Sequence, residues 1–125
     1  MNALGRHLLL ELKDCNKELL NDAEFLKDFL CNTAEKIGAT VVNHAFHKFS
    51  PQGVSCVVLI AESHICIHTW PEYGYASVDI FTCGCTINPK DAIALLVERL
   101  EARESSFMEL ERGILQDNNV ICGIK

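Results

Sequence analysis

Residues 54–70 read VSCVVLIAESHICIHTW, two runs of apolar and β-branched residues with a short break at Glu62 and Ser63. β-Branched and aromatic residues are favoured in strands, and a brief interruption between two such runs is typical of a turn. The pattern therefore predicts one strand over 54–61 and a second over 64–70. Their short connection favours an antiparallel arrangement.

The strand pattern continues on both sides of this pair. Turn sequences rich in proline and glycine, SPQG at 50–53 and PEYG at 71–74, separate the neighbouring runs. Four further strands are predicted, over residues 6–12, 39–48, 75–82 and 105–112.

Two segments have the spacing of amphipathic helices instead. Asn21 or Asp22 can cap a helix over 22–37, which a glycine follows. The second helix is predicted over 89–102, with Asn88 as its cap and a proline at its first position. Both segments repeat apolar residues at the three- and four-residue spacing of a helix face.

Six strands with hairpin-like connections and two helices predict a two-layer α+β domain. Its sheet is expected to be mostly antiparallel, with both helices on one face. Two strand segments, Leu8–Leu10 and Val57–Ile60, are apolar at both parities, and two helices cover only one side of a sheet. We therefore expect a homodimer packed sheet against sheet, in αββα order. The alternative is that these strands are central and covered by loops.

Length and composition restrict the class of protein. A chain of 125 residues that is 49% hydrophobic fits one domain over 1–125. A net charge of -6 argues against a nucleic-acid partner, because phosphate binding needs a basic face. Apolar runs are too short to span a bilayer, and the N-terminal leucines are too few for a signal peptide, so we expect no membrane partner and a cytoplasmic protein.

The seven cysteines have irregular spacing and contain no C-x-x-C pair. We expect most of them to be reduced and buried as small apolar side chains.

Polar residues able to do chemistry are concentrated between Ala61 and Gly84. This segment holds two serines, two histidines, two glutamates, an indole and two cysteines on predicted strands and tight turns. From residue types alone it could be a Cys/His nucleophile site, a metal site or an ordinary sheet with satisfied polar groups. The metal reading would use His64, His68, Cys83 and Cys85.

Several motifs at fixed spacing are similar to one known family. ESH at 62–64, IHTWPEYGY at 67–75 and FTCG at 81–84 resemble the processing and active-site signatures of the short prokaryotic S-adenosylmethionine decarboxylases. The resemblance extends to GRH at 5–7 and to FHKF at 46–49 with GVS at 53–55. It covers most of residues 4–84.

This resemblance implies a proenzyme that cleaves its own chain between Glu62 and Ser63. The products are a β chain, 1–62, and an α chain, 63–125, which begins with a pyruvoyl group made from Ser63. That group would form a Schiff base with the substrate and accept the electrons released with CO₂. Serine suits the cleavage because its oxygen is both the nucleophile and, as an ester, the leaving group.

The resemblance also assigns roles to other side chains. His68 would promote processing, with help from Ser55, and Cys83 would donate a proton after decarboxylation. His64 is interpreted as a satisfied sheet histidine, and a metal is not expected. Residues expected to contact substrate are Phe49, Trp70 and Glu72.

The implied reaction is decarboxylation of S-adenosylmethionine for spermidine biosynthesis. No lysine lies between Lys48 and Lys90, so the matched segment offers no attachment site for pyridoxal phosphate. Two alternatives remain: a pyruvoyl-dependent decarboxylase of another amino acid, such as arginine or ornithine, and a catalytically silent regulatory homologue. The presence of Ser63, His68 and Cys83 together argues against the silent homologue.

One geometric difficulty accompanies these assignments. Along a continuous strand, Ser63 and His68 have opposite parity and lie about 17 Å apart. A turn, a fold-back or a partner chain must therefore bring the two side chains together.

Overall fold

The predicted strands form one six-stranded antiparallel sheet. A computed structural model describes residues 3–115, so residues 1–2 and 116–125, including Cys122, lie outside the described part of the chain. The elements in chain order are β1 (Ala3–Lys13), α1 (Lys17–Leu20), α2 (Ala23–Lys36), β2 (Val41–Lys48), β3 (Val54–Ile60), β4 (Ser63–Trp70), a 3-10 turn (Pro71–Tyr73), β5 (Tyr75–Cys83), α3 (Asp91–Leu100) and β6 (Glu104–Ile114).

Strand order in the sheet is β2-β3-β4-β5-β1-β6. Strands β2 to β5 follow chain order, and β1 then inserts between β5 and β6. The predicted α+β class with a largely antiparallel sheet is confirmed. The short helix α1 and the 3-10 turn were not predicted, because one turn of helix is too short to produce a periodic pattern.

The two longer helices begin differently from one another. Asp22 caps α2 as predicted, since its carboxylate accepts a hydrogen bond from the Phe25 N–H at 3.0 Å. For α3 the predicted start was wrong. The Asn88 side chain accepts from the Lys90 N–H at 3.1 Å and closes a turn, and the helix begins only at Asp91.

Helices α2 and α3 cover one face of the sheet, which we call the helix face. Their apolar stripes pack on alternate residues of the central strands, and these are fully buried. Each such leucine or isoleucine contributes about 1.5–3 kcal/mol on burial. The largest members of this core are Leu8, Leu10, Leu26, Leu30, Ile65, Ile67, Ile80, Leu96 and Leu100.

The opposite face, which we call the open face, has no helix over it among residues 3–115. It carries the other parity of the strands, including Ser55, Val57 and Leu59 on β3 and His64, Cys66 and His68 on β4. Val57 is 40% exposed and Leu59 47%. Strand β3 is therefore apolar on both faces, as predicted, and no loop within residues 3–115 buries Val57 or Leu59.

Most of the cysteines in the described part of the chain are free thiols, as predicted. Cys15 and Cys56 are buried and free, and burial raises the pKa of each thiol to about 11. Cys85 differs, because it is disulfide-bonded. Within residues 3–115 no helix is both long and apolar enough to cross a membrane.

Candidate active site

The junction between β3 and β4 is a hairpin with a two-residue loop, Ala61 and Glu62. Ile60 pairs with Ser63 across it, so the second strand begins at Ser63, one residue earlier than predicted. The loop is held from outside the hairpin as well, since the Ala61 N–H donates to the Thr40 carbonyl at 2.8 Å. The polar break in the sequence is therefore a tight, anchored turn.

The backbone of Ser63 has an unusual conformation. Its φ is 152°, a region that residues other than glycine rarely adopt. Such a conformation costs about 1–3 kcal/mol and persists only where surrounding contacts impose it. Ser63 is only 5% exposed, so this strain lies inside the protein, at the second residue of the predicted cleavage bond.

The carbonyl of Glu62 accepts two hydrogen bonds from a single residue. The Cys83 N–H donates to it at 2.7 Å, and the Cys83 thiol donates at 2.9 Å. The Glu62 side chain is fixed too, since its Oε1 accepts from the Thr40 N–H at 3.1 Å. Two donors on one carbonyl oxygen stabilise negative charge there, as in an oxyanion hole.

Cys83 is the last residue of β5 and has the parity of the open face. Its half-buried side chain therefore approaches the Glu62 carbonyl from that face. Cys66, the other thiol nearby on this face, is a poor candidate nucleophile. Burial and then the Asp79 carboxylate raise the pKa of Cys66 to about 11, so it stays protonated at neutral pH.

His68 and Ser55 form a cross-strand pair on the open face. The Ser55 hydroxyl and His68 Nδ1 share a hydrogen bond at 2.7 Å. A hydrogen bond at Nδ1 orients the imidazole and leaves Nε2 for proton transfer. The two residues predicted to act together in processing are thus in contact.

The Ser55–His68 pair borders a cavity of about 290 Å³ at the far end of β3 and β4 from the hairpin. All three predicted substrate contacts line this cavity. The Phe49 ring packs edge-on against the His47 ring, with 4.6 Å between ring centroids. The Trp70 and Tyr75 ring centroids are 5.4 Å apart. The lining residues are Phe49, Gln52, Gly53, Ser55, His68, Thr69, Trp70 and Glu72.

The structure does not bring Ser63 to His68 within one chain. Ser63 shares the helix-face parity of Ile65 and Ile67, whereas His68 lies on the open face, five residues along β4. The site therefore consists of two halves. One holds Glu62, Ser63 and Cys83, and the other holds the cavity with its Ser55–His68 pair.

The alternative metal reading of the sequence used His64, His68, Cys83 and Cys85. In the part of the chain that the structure describes, no group of three or more His, Cys, Asp or Glu side chains is arranged to hold a metal ion. His64 instead lies among rings, 5.9 Å from Phe81 and 6.2 Å from His7. His64 thus packs as an aromatic ring within the sheet.

Comparison with known proteins identifies the family. The family model described as S-adenosylmethionine decarboxylase matches residues 6–113, most of the chain. The chain belongs to the S-adenosylmethionine decarboxylase family. The resemblance noted in the sequence is thereby confirmed.

Relatives in this decarboxylase family match along nearly the whole chain. The S-adenosylmethionine decarboxylase proenzyme of Thermodesulfovibrio yellowstonii is 52% identical over 119 residues, 95% of this chain and 88% of that protein. The proenzyme of Clostridium tetani is 53% identical over 116 residues, 93% of this chain and 92% of that protein. The crystal structure of the adenosylmethionine decarboxylase from Aquifex aeolicus has a TM-score of 0.84 and 32% identity, covering 94% of this chain and 97% of that one.

Two features of this decarboxylase fold were missed at the level of sequence. The double hydrogen bond from Cys83 to the Glu62 carbonyl was not foreseen, because it depends on the pairing of β4 with β5. Gln52 also lines the cavity beside Phe49, and its only sequence signal was membership of the SPQG turn. The residues that the sequence predicted for catalysis and substrate contact each lie in one of the two halves.

Proposed function

We propose that this protein is a self-cleaving S-adenosylmethionine decarboxylase whose pyruvoyl group forms from Ser63. The observation that carries the proposal is the Glu62 carbonyl, held by the N–H and the thiol of Cys83 next to the strained backbone of Ser63. A carbonyl that is both fixed and polarised is what a weak serine nucleophile needs.

The cleavage chemistry follows from these groups. The Ser63 hydroxyl attacks the Glu62 carbonyl carbon, the amide C–N bond breaks, and an ester to the serine oxygen replaces it. Loss of the Ser63 α-proton then expels the Glu62 carboxylate from the β-carbon. Water hydrolyses the resulting enamine, releases ammonia and leaves a pyruvoyl group at the start of 63–125, while 1–62 ends in Glu62.

The pyruvoyl group supplies an electron-accepting carbonyl for decarboxylation of an α-amino acid. The role we assign to Cys83 is return of a proton to the substrate carbon after CO₂ leaves. Its thiol is already placed at the Glu62–Ser63 junction, 2.9 Å from the Glu62 oxygen. We assign no metal to the site.

We further propose that two protomers pack by their open faces and complete each other's site. The separation of Ser63 from His68 on one strand supports this, because a partner on the open face can present its own His68 to the side of the Glu62–Ser63 bond on which Cys83 lies. The exposed Val57 and Leu59 would be buried by the same contact. Each dimer would then hold two α and two β chains.

The cavity is assigned to S-adenosylmethionine. Phe49 and Trp70 offer aromatic faces for a base and for a cationic sulfonium, and Glu72 offers a carboxylate for hydroxyl groups. About 290 Å³ is at the small end for a ligand site, as suits a cavity that a second protomer extends. We place the enzyme in the cytoplasm, where free thiols such as Cys15 and Cys56 persist.

Intact-mass analysis of the purified full-length protein tests the proposal. We expect two fragments, 1–62 and 63–125, the second starting with pyruvoyl, together with release of CO₂ from S-adenosylmethionine but not from arginine or ornithine. Ser63→Ala should remain one inactive chain, since alanine has no oxygen for the acyl shift. A wild-type chain that stays whole on long incubation would refute self-cleavage.

A further inference from the structure

Two buried threonines on the helix face of the sheet differ sharply in their hydrogen bonding. The Thr69 hydroxyl accepts from the Val54 N–H at 2.9 Å and donates to the Leu20 carbonyl at 2.7 Å. Thr82 is only 1% exposed, yet its Oγ1 has no hydrogen-bond partner among residues 3–115. Thr69 is thus a satisfied core residue, and Thr82 is not.

Thr82 lies directly opposite Ser63 in the pairing of β4 with β5. The hydrogen bond from the Cys83 N–H to the Glu62 carbonyl marks those two as a hydrogen-bonded pair. Ser63 and Thr82 therefore form the adjacent non-hydrogen-bonded pair, in which Cα atoms approach to about 4.5 Å and side chains are closest. Both side chains have the parity of the helix face.

An unpartnered buried hydroxyl disfavours the folded state, and valine would fill the same space without that cost. The other residues of β5 on this face, Ala76, Val78 and Ile80, are apolar. A hydroxyl at Thr82 is therefore unexplained by packing in the uncleaved chain. We therefore expect a hydrogen-bond partner of the Thr82 hydroxyl in the states that the neighbouring Ser63 passes through during cleavage.

We propose that Thr82 acts in the self-cleavage, as a hydrogen-bond donor to the Ser63 side-chain oxygen. This inference rests on the proposed cleavage at Ser63. After the acyl shift that oxygen belongs to the ester with Glu62, and in the elimination the Cβ–O bond breaks and the oxygen leaves with the Glu62 carboxylate. The Thr82 hydroxyl stabilises the charge that develops on it, from the face opposite to Cys83.

The test compares Thr82→Val, which keeps the shape, with Thr82→Ser, which keeps the hydroxyl. Fragment formation is followed by mass spectrometry from freshly made full-length chain, with Thr33→Val as a buried control on α2. We expect Thr82→Val to cleave roughly 100- to 1,000-fold more slowly than wild type, the loss typical of one removed donor, and Thr82→Ser and Thr33→Val to cleave at near wild-type rates. Hydroxylamine should trap ester in Thr82→Val, giving 1–62 as a hydroxamate and a second fragment that begins with serine.

Thermal unfolding in a Ser63→Ala background separates this role from a structural one. There Thr82→Val should unfold at the same or a higher temperature, because it removes an unpartnered hydroxyl, whereas Thr69→Val should unfold at a lower one. Cleavage of Thr82→Val at the wild-type rate would overturn the inference, as would equal slowing of Thr82→Ser. If the wild type itself stayed whole, the proposed cleavage would fail, and the role of Thr82 with it.

Discussion

Ser63 and His68 belong to the same strand, but their side chains lie on opposite faces of the sheet and near its opposite ends. Ser63 is buried and has the parity of the helix face, whereas His68 is exposed on the open face, where Ser55 is hydrogen-bonded to its Nδ1. Five residues of extended chain, about 17 Å, separate them. The proposed packing of two open faces would instead bring a partner's His68 to the open-face side of the Glu62–Ser63 bond.

Mixed dimers provide the direct test of this arrangement. His68→Ala alone should cleave at least about 100-fold more slowly than wild type, because a positioned acid or base is lost. Co-expression with Ser63→Ala should restore cleavage of the His68→Ala chain, since the Ser63→Ala partner still presents a histidine. Differently tagged chains and mass spectrometry identify which one is cut.

The control is each variant expressed alone, where neither chain should be cut appreciably. If the mixture also stayed uncut although mixed dimers formed, His68 would have to act within its own chain.

Cys83 should affect turnover more than cleavage. In Cys83→Ala the backbone N–H still holds the Glu62 carbonyl, so cleavage should continue at a reduced rate. Turnover should fall by about 10²–10⁴-fold, the contribution of a positioned proton donor. Misplaced protonation would convert the pyruvoyl group to alanine, which mass analysis of 63–125 after exposure to substrate would detect.

Cys83→Ser is the matched variant, because its hydroxyl retains a donor for the Glu62 oxygen but is a much weaker acid. We expect it to cleave faster than Cys83→Ala and to turn over nearly as poorly. Normal turnover by either variant would mean that Cys83 only positions the Glu62 carbonyl and does not donate the proton.

A charge on the open face should prevent assembly. Val57→Lys places an ammonium group in the centre of the proposed contact, where its burial unpaired would be very costly. Val42→Lys is the control, since Val42 is 59% exposed and lies in the irregular part of the pairing between β2 and β3. In sedimentation velocity Val57→Lys should give single protomers with little activity, and Val42→Lys should match wild type. Equal assembly of both would refute face-to-face packing.

The ion pairs at Glu109 should make stability dependent on pH. Burial alone would raise the pKa of Glu109, but the hydrogen bond from Arg6 and the charges of Arg6 and Lys90 outweigh it, so the pKa is lowered below 4.5. A lowered pKa stabilises the fold above the unfolded-state value, and this stability is lost as pH falls through the folded-state value.

Glu109→Gln should therefore cost about 1 kcal/mol at pH 7 and progressively less at acid pH. Urea unfolding of the uncleavable Ser63→Ala chain, at several pH values with and without this change, measures the difference. A difference that did not shrink on acidification would mean that Glu109 acts through packing.

The sequence by itself determined the six strands, the two longer helices and the family. Runs of β-branched residues located the strands, because strand preference can be read from neighbouring residues alone. The Asp22 cap located the start of α2 for the same reason. The ESH, IHTWPEYGY and FTCG motifs indicated the family and its candidate residues. The sequence did not predict the start of α3 correctly, because the Asn88 side chain closes a turn and the helix begins only at Asp91.

Only the tertiary structure decided how those residues are grouped. The bond from Cys83 to the Glu62 carbonyl depends on the register of strands brought together from distant parts of the chain. The same register placed Thr82 opposite Ser63. Pairing across a sheet is set by packing of the whole core, so no short segment encodes it. The sequence identified the candidate residues, and the tertiary structure determined which of them are in contact.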